Sequence, residues 1–215
     1  MPIPLLIWGG IALGAALLGG GAIYAVNINN IKGKRFTILG TRASGKTSLH
    51  KFLSEGELPK EYIASGEEKI KDNYFKLKHL NLRIKSSIDI GGNVVYVQRW
   101  KSLIEDGDYI CYLIRIDKLH NENDTEYRNK ILRHINLILK HMNTENKQGP
   151  LYLIYTFCDF IEDFDSNSDE FLEKFKLKNI DLFPENTASF FGSFKDNKGA
   201  EALCISLLGK ISEKK

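Results

Sequence analysis

A glycine-rich stretch near the start of the chain constrains the fold more than any other feature. Its residues are Gly40-Thr41-Arg42-Ala43-Ser44-Gly45-Lys46-Thr47, which match the pattern G-x-x-x-x-G-K-[ST]. The apolar run at 35–39 before it predicts a buried strand, and residues 46–53 predict a helix. A loop between a strand and a helix of this kind directs backbone N–H groups toward an anion. The sequence therefore predicts a phosphate-binding loop within an α/β sheet.

Each of the fixed positions in this motif has a physical role. Gly40 and Gly45 allow the backbone to turn tightly and to approach a ligand closely. Lys46 is long enough to reach the β- and γ-phosphates of a nucleotide, and the Thr47 hydroxyl is a suitable ligand for Mg²⁺. We therefore assign all eight residues of the loop to nucleotide binding.

The N-terminal region is apolar over a length that matches a bilayer. No formal charge occurs between Met1 and Ile31, and residues 3–26 are almost entirely apolar. A spanning helix needs ~20 apolar residues to cross a hydrocarbon core of ~30 Å. A cleaved signal peptide is the competing interpretation, but the basic n-region of such a peptide is missing and a nucleotide site belongs in the cytosol. We therefore predict a retained transmembrane helix in residues 1–31, followed by one domain in residues 32–215.

Charge predicts the orientation of this anchor in the membrane. Lys32, Lys34 and Arg35 follow the apolar segment directly, and no basic residue precedes it. By the positive-inside rule the C-terminal domain is cytoplasmic. Gly10 and Gly14 form a small-xxx-small pair, so the span also has one face on which a second membrane helix can pack.

Composition excludes several classes of protein. The formal net charge is only +3, so nothing in the overall balance indicates a nucleic-acid partner. Cys111, Cys158 and Cys204 are far apart and odd in number, which is typical of a reducing compartment and does not suggest a structural zinc site.

Strand and helix patterns alternate along the rest of the chain, which favours a mostly parallel sheet covered by helices. The near-continuous apolar runs at 109–116 and 151–155 predict central buried strands. Residues 74–80 and 82–90 alternate apolar and basic residues and predict a hairpin. Its basic face is suited either to anionic lipid or to preventing association of sheet edges.

Two short motifs further along the chain suggest which nucleotide is bound. Asp89-Ile90-Gly91-Gly92 has the form D-x-x-G, in which the aspartate holds Mg²⁺ through water and the Gly92 N–H meets a γ-phosphate. Thr156-Phe157-Cys158-Asp159 follows the strand at 151–155, where a guanine-specific protein carries N-K-x-D.

Asp159 is the residue that matters most for base specificity. Its carboxylate can accept hydrogen bonds from the guanine N1–H and 2-amino groups. Thr156 is a candidate substitute for the missing asparagine, and Phe157 is a candidate for stacking on the base. The alternative is an aspartate that caps a helix. Thr187-Ala188-Ser189 precedes the last predicted helix, and the Ala188 N–H is a candidate donor to the guanine O6.

With these motifs the chain resembles the Ras-like small GTPase superfamily, and within it the Arf-like branch and the signal-recognition-particle receptor β subunit. The resemblance covers residues 34–215 and is most specific at residues 89–92 with Trp100 eight positions beyond Gly92. It implies a mostly parallel six-stranded sheet flanked by helices, GTP and GDP with Mg²⁺ as ligands, and partner proteins that bind switch segments near 54–71 and 91–106. A membrane span ahead of the domain is also a property of the receptor β subunit.

Three residues depart from the pattern of this family. Asn93 stands where Arf proteins have a water-orienting glutamine, and because Asn is shorter we predict slow hydrolysis. Ser65 is the best substitute for the missing switch threonine as a metal ligand. Arg42 either acts as a catalytic arginine or points to water. Three functions therefore stay open: a slow GTPase switch, a non-hydrolysing GTP-binding receptor or scaffold subunit, and a P-loop protein without base preference.

Overall fold

A six-stranded sheet forms the centre of the structure. The computed structural model describes residues 7–8, 11–12, 28–31, 33–56, 58–59, 73–77, 80–86, 95–121, 124–162, 164 and 168–213. Its strands are β1 (Arg35–Gly40), β2 (Asn73–Leu77), β3 (Leu80–Ser86), β4 (Tyr109–Arg115), β5 (Leu151–Thr156) and β6 (Thr187–Phe191). The spatial order is β2-β3-β1-β4-β5-β6.

The pairing of these strands is mostly parallel. β1 pairs in parallel with β3 and with β4, and β5 pairs in parallel with β4 and with β6. Among the described strands of this sheet, β2 and β3 form the antiparallel pair. The hairpin was predicted from strands at 74–80 and 82–90, but its second strand begins two residues earlier, at Leu80. Residues 110–114 of β4 and every residue of β5 are buried, as expected for strands covered on both faces. The prediction of a mostly parallel α/β sheet is confirmed.

Helices cover both faces of the sheet. They are α1 (Lys46–Glu55), α2 (Val95–Asp106), α3 (Ile116–His120), α4 (Thr125–Thr144), α5 (Ser168–Lys178) and α6 (Asn197–Ser212). The buried side chains of α1 and α6 form one apolar core with β1, β4 and β5. Those of α2, α4 and α5 form a second core on the opposite face.

Side-chain caps begin the two longest helices. The Asp124 carboxylate accepts a hydrogen bond of 3.0 Å from the Tyr127 N–H at the start of α4. Asp196 accepts one of 2.8 Å from the Gly199 N–H at the start of α6. Each cap satisfies a backbone donor that has no partner within the helix.

The segment before β1 is attached to the domain at the end of the sheet where β1 and β4 begin. A helical turn, Ile28–Ile31, packs beside the end of α6, and Ile31 is completely buried. The Asn30 side-chain amide donates a hydrogen bond of 2.7 Å to the Ser212 carbonyl. The chain therefore enters the domain next to the C-terminal end of α6.

The predicted membrane span at 3–26 lies almost wholly outside the described residues. Its four described residues form two short antiparallel strands, Ile7–Trp8 and Ile11–Ala12. Within the described part of the chain, no helix combines the length and the apolarity that a bilayer crossing requires.

A half-buried histidine links α4 to the central strand. His134 Nδ1 lies 2.7 Å from the Tyr112 hydroxyl, and the Trp100 ring of α2 packs edge-on against the imidazole at 4.8 Å between centroids. Burial, assisted by Lys130 and Arg133, lowers the pKa of His134 to about 4. The neutral imidazole is therefore the form that the folded protein favours.

This burial predicts a pH dependence of stability. The unfolded chain binds a proton at His134 near its ordinary pKa of 6.5, whereas the folded chain binds it only near 4. Between these values the unfolded state holds more protons, so the free energy of unfolding decreases as the pH falls. We expect His134 to contribute a decrease of about 2 kcal/mol between about pH 7 and about pH 5, measured by urea unfolding.

The matched variant is His134→Asn, which keeps an acceptor toward Tyr112 but does not titrate. In this variant the free energy of unfolding should decrease by about 2 kcal/mol less between about pH 7 and about pH 5 than in the wild type. Any contribution from buried His50 remains in both proteins. An unchanged pH dependence would contradict the assignment.

Candidate nucleotide-binding site

The loop between β1 and α1 leaves no room for side chains at its two glycines. A Cβ atom at Gly40 would lie 2.6 Å from Ser44 Oγ and 2.9 Å from the Leu113 carbonyl oxygen. Gly45 has a φ of +90°, a left-handed conformation that side chains disfavour, and it occupies the N-cap of α1. The backbone therefore closes tightly on itself and on β4 before the helix begins.

The polar groups of this loop suit a bound phosphate. Lys46 Nζ donates hydrogen bonds to the Gly40 carbonyl at 3.2 Å and to the Thr41 carbonyl at 2.6 Å, so its ammonium lies across the loop. No side chain caps the N-terminus of α1, which leaves its first N–H groups for an anion. The Ser44 hydroxyl is buried and has no partner in the described part of the chain. The residues present therefore fit a phosphate group.

Two residues from neighbouring elements support the loop. The Tyr127 hydroxyl of α4 lies 3.2 Å from Thr41 Oγ1 and accepts a hydrogen bond of 2.9 Å from the Arg115 N–H. The Thr156 hydroxyl, at the end of β5, lies 3.0 Å from the Ser44 carbonyl and 3.2 Å from the Ile114 carbonyl. Thr156 is completely buried, so its hydroxyl stabilises the phosphate loop from behind.

Asp159 lies in a 3₁₀ turn, Cys158–Phe160, that follows β5 directly. Its side chain is exposed, and its carboxylate accepts a hydrogen bond from the Ser193 hydroxyl. Ser193 Oγ in turn accepts a hydrogen bond of 2.9 Å from the Lys195 N–H. Asp159 is therefore an accessible acceptor at the carboxyl end of the sheet, next to the loop that follows β6.

The prediction for Thr187 and Ala188 was wrong. They pair with Leu151 and Tyr152 at the beginning of β5 and β6, which is the opposite end of the sheet from the phosphate loop. The Thr187 hydroxyl donates to the Pro184 carbonyl. Strand β6 continues to Phe191, so the segment beside Asp159 is the loop at 192–196.

Sequence reasoning missed this loop, although Asp196 as the helix cap indicates where α6 begins. Phe194 in this loop packs on the phosphate loop. A Cβ atom at Gly45 would lie 3.0 Å from the Phe194 ring. The Gly192 N–H donates a hydrogen bond of 3.0 Å to the Tyr155 carbonyl, and the Cys158 N–H donates one of 3.3 Å to the Gly192 carbonyl. These bonds hold the loop against the end of β5.

The predicted catalytic and metal residues are only partly described. Asp89, Gly92, Asn93 and Ser65 lie outside the described residues. Thr47 lies in the first turn of α1, and Arg42 is exposed at the surface of the loop. The described residues contain no cluster of acidic, histidine or cysteine side chains that could hold a metal ion.

The sheet order and the phosphate loop together define a small-GTPase fold. The chain is similar to the crystal structure of an ADP ribosylation factor-like GTP-binding protein, the small COPII coat GTPase SAR1 from Encephalitozoon cuniculi, in complex with GDP. The TM-score is 0.52 at 16% sequence identity, over 86% of this chain and 84% of that chain. No protein-family model and no curated protein matches the chain. The similarity shows a shared fold.

The support that Thr156 gives to the phosphate loop can be tested by substitution. Thr156→Val keeps the shape of the side chain but removes the donor to the Ser44 and Ile114 carbonyls. We expect a loss of roughly 1–2 kcal/mol in the free energy of unfolding, because buried acceptors lose a partner. Amide hydrogen exchange of residues 40–47 should also become faster.

Thr156→Ser is the matched control, since it keeps the hydroxyl and removes only a methyl group. It should destabilise the protein without accelerating exchange in the loop. Equal exchange rates in the two variants would contradict this role of the hydroxyl.

Proposed function

We propose that this chain is a membrane-anchored guanine-nucleotide switch that binds GTP and GDP with Mg²⁺ and hydrolyses GTP slowly. One observation carries the proposal: the phosphate loop and the accessible Asp159 carboxylate lie at the same end of the sheet, joined by the loop at 192–196. Phe194 contacts the phosphate loop, and Ser193 binds Asp159. A phosphate group and a base can therefore be held by adjoining parts of one site.

Electrostatics favour a polyphosphate on one side of this site. The Lys46 ammonium and the uncapped N-terminus of α1 both present positive potential to the loop. The carbonyl contacts of Lys46 are the ones that a phosphate would replace. In the proposal, the phosphates bind residues 40–47 and the γ-phosphate also meets the Gly92 N–H.

Hydrogen bonding favours guanine on the other side. A base that approaches Asp159 can take the place of the Ser193 hydroxyl and donate to the carboxylate through N1–H and the 2-amino group. Adenine lacks this pair of donors, and a site built for them can reject it by ~10⁴-fold or more. The solved structure with the same fold was obtained with GDP.

Mg²⁺ would be held at the phosphate end of the site. Thr47 supplies a hydroxyl ligand, Asp89 acts through water, and Ser65 is the candidate ligand of the first switch. Bound metal would neutralise charge on the phosphates. Contacts from the γ-phosphate and Mg²⁺ would order segments near 54–71 and 91–106 for a cytoplasmic partner, and GDP would release them.

The membrane anchor is part of the same proposal. The apolar segment at 3–26 would hold the chain at the bilayer, and the domain would lie in the cytoplasm. The helical turn Ile28–Ile31 packs at the end of the sheet opposite Asp159. The nucleotide site would therefore face away from the membrane, toward soluble partners.

Competition binding tests the base specificity. GTP should displace a fluorescent GDP analogue from the full chain far better than ATP does. Asp159→Asn should lower the affinity for GTP by about 100-fold, because two hydrogen bonds to a charged acceptor are lost. The same variant should gain affinity for xanthosine triphosphate, whose C2 carbonyl accepts a hydrogen bond from the new amide.

Lys46→Ala is the control for this experiment, since it should lower the affinity for every nucleotide without changing the preference between GTP and ATP. The full chain is needed because Asn30 and Ile31 pack into the domain. If GTP and ATP compete equally in the wild type, Asp159 is not a guanine site and the proposal fails.

A second function is favoured by one residue. Asn93, where a water-orienting glutamine is expected, is compatible with a receptor or scaffold subunit that holds GTP without hydrolysing it. We expect slow single-turnover hydrolysis in the wild type. Asn93→Gln should increase the rate about tenfold or more, because phosphoryl transfer depends on positioning of the water.

Asn93→Ala is the matched control and should not hydrolyse faster than the wild type. Bound GTP that survives for many hours in the wild type and in Asn93→Gln alike would contradict the switch and favour the scaffold.

A further inference from the structure

Arg115 lies at the end of β4 and forms a two-point ion pair with Asp117. Its Nε donates to Asp117 Oδ1 at 3.1 Å, and its Nη2 donates to Asp117 Oδ2 at 2.6 Å. The two side chains are only 21% and 18% exposed. A paired, mostly buried guanidinium has one preferred orientation, unlike a solvated surface charge. Asp117 therefore holds the plane of the Arg115 guanidinium.

The guanidinium lies over the ring of Phe157. The distance from Arg115 Cζ to the ring centroid is 4.3 Å, which is within the range of a cation–π contact. Phe160 meets the same ring at 64° with 5.6 Å between centroids. One face of Phe157 is thus covered by a cation, and the ring has a second aromatic neighbour that limits its rotation.

Phe157 occupies a special backbone position beside Asp159. Its φ is +65°, a left-handed conformation that is uncommon for a bulky residue. This turn separates Thr156, which faces the phosphate loop, from Asp159, which faces the loop at 192–196. Backbone strain at a bulky side chain is maintained only when its surroundings hold the residue firmly.

We propose that Arg115 and Asp117 are positioning residues that support Phe157 as a stacking platform for the purine base bound at Asp159. The inference rests on the proposed function, and it adds the means by which the base plane is oriented. Arg115 covers one face of the ring, and the base stacks on the other. Asp159 then accepts hydrogen bonds from the edge of the base, so that stacking and edge recognition act on one ligand.

The geometry requires arginine at this position. A lysine ammonium is a compact charge that cannot make the two-point contact with Asp117 while lying flat on the ring. Arg115→Lys should therefore resemble removal of the side chain, even though the net charge is unchanged. Asp117→Asn should have a similar effect, because it weakens the group that orients the guanidinium.

The test compares a ligand with a base to one without it. Affinities of the full chain for GTP and for inorganic triphosphate are measured by displacement of a fluorescent GDP analogue with Mg²⁺ present. We expect Arg115→Gln, Arg115→Lys and Asp117→Asn each to lower the affinity for GTP by about three- to fivefold, which is the range of free energies of a cation–π contact expressed as a ratio. Inorganic triphosphate should bind with unchanged affinity, because only the base side of the site is altered.

Lys118→Gln is the matched control. Lys118 is a neighbouring exposed cation whose Nζ lies 5.4 Å from the Tyr127 ring and not over Phe157. Its removal should leave the affinity ratio of GTP to inorganic triphosphate as in the wild type. Thermal unfolding of each variant identifies any that do not fold, and the remaining variants then decide.

Two results would overturn this inference alone. In one, GTP binds normally to the Arg115 and Asp117 variants. In the other, the variants lose affinity for GTP and for inorganic triphosphate by the same factor, which would mean that Arg115 acts on the phosphates through its charge. Failure of the wild type to bind GTP would instead overturn the proposed function, and this inference with it.

Discussion

Parallel pairing of β1, β4, β5 and β6 is the constraint on which the candidate site depends. Parallel strands end at the same edge of a sheet, so the segments that follow them are brought together although they are far apart in sequence. The phosphate loop follows β1, Arg115 ends β4, the Asp159 turn follows β5, and the loop at 192–196 follows β6. Each contributes one kind of contact, and none forms a site alone.

Buried polar groups give this edge its definite geometry. The Thr156 and Tyr127 hydroxyls are enclosed by the protein and hydrogen-bond to backbone or side-chain groups of neighbouring segments. A buried hydroxyl without partners is costly, so each of these contacts favours one position of the loop. The position of the phosphate loop relative to β4 and β5 is thereby linked to the packing of α4. The N-terminal segment packs against the opposite end of the sheet through Asn30 and Ile31, so it lies away from the candidate site.

Local sequence was sufficient where one segment specifies its own structure. The glycine-rich loop requires Gly40 and Gly45 for reasons that are local, and the apolar runs of β4 and β5 are long enough to indicate buried strands. Thr187 and Ala188 show the limit of such reasoning. They were predicted to lie in a loop before the last helix, but pairing with β5 places them in a strand that continues to Phe191, and the loop begins after it. Strand ends depend on the neighbouring strand, which a local pattern does not contain.

Side-chain roles at the site show the same division. The sequence by itself determined the strand, glycine-rich loop and helix at 35–55 and the mostly parallel α/β sheet, because motif spacing and hydrophobic periodicity are properties of contiguous residues. Only the tertiary structure decided that Thr156 supports Ser44, that Ser193 is the neighbour of Asp159, that Phe194 packs on Gly45, and that Arg115 covers Phe157. These pairs are separated by 34 to 149 positions along the chain, with Arg115 and Phe157 at 42. Such contacts arise from the parallel register of the sheet, and no local pattern in the sequence specifies them.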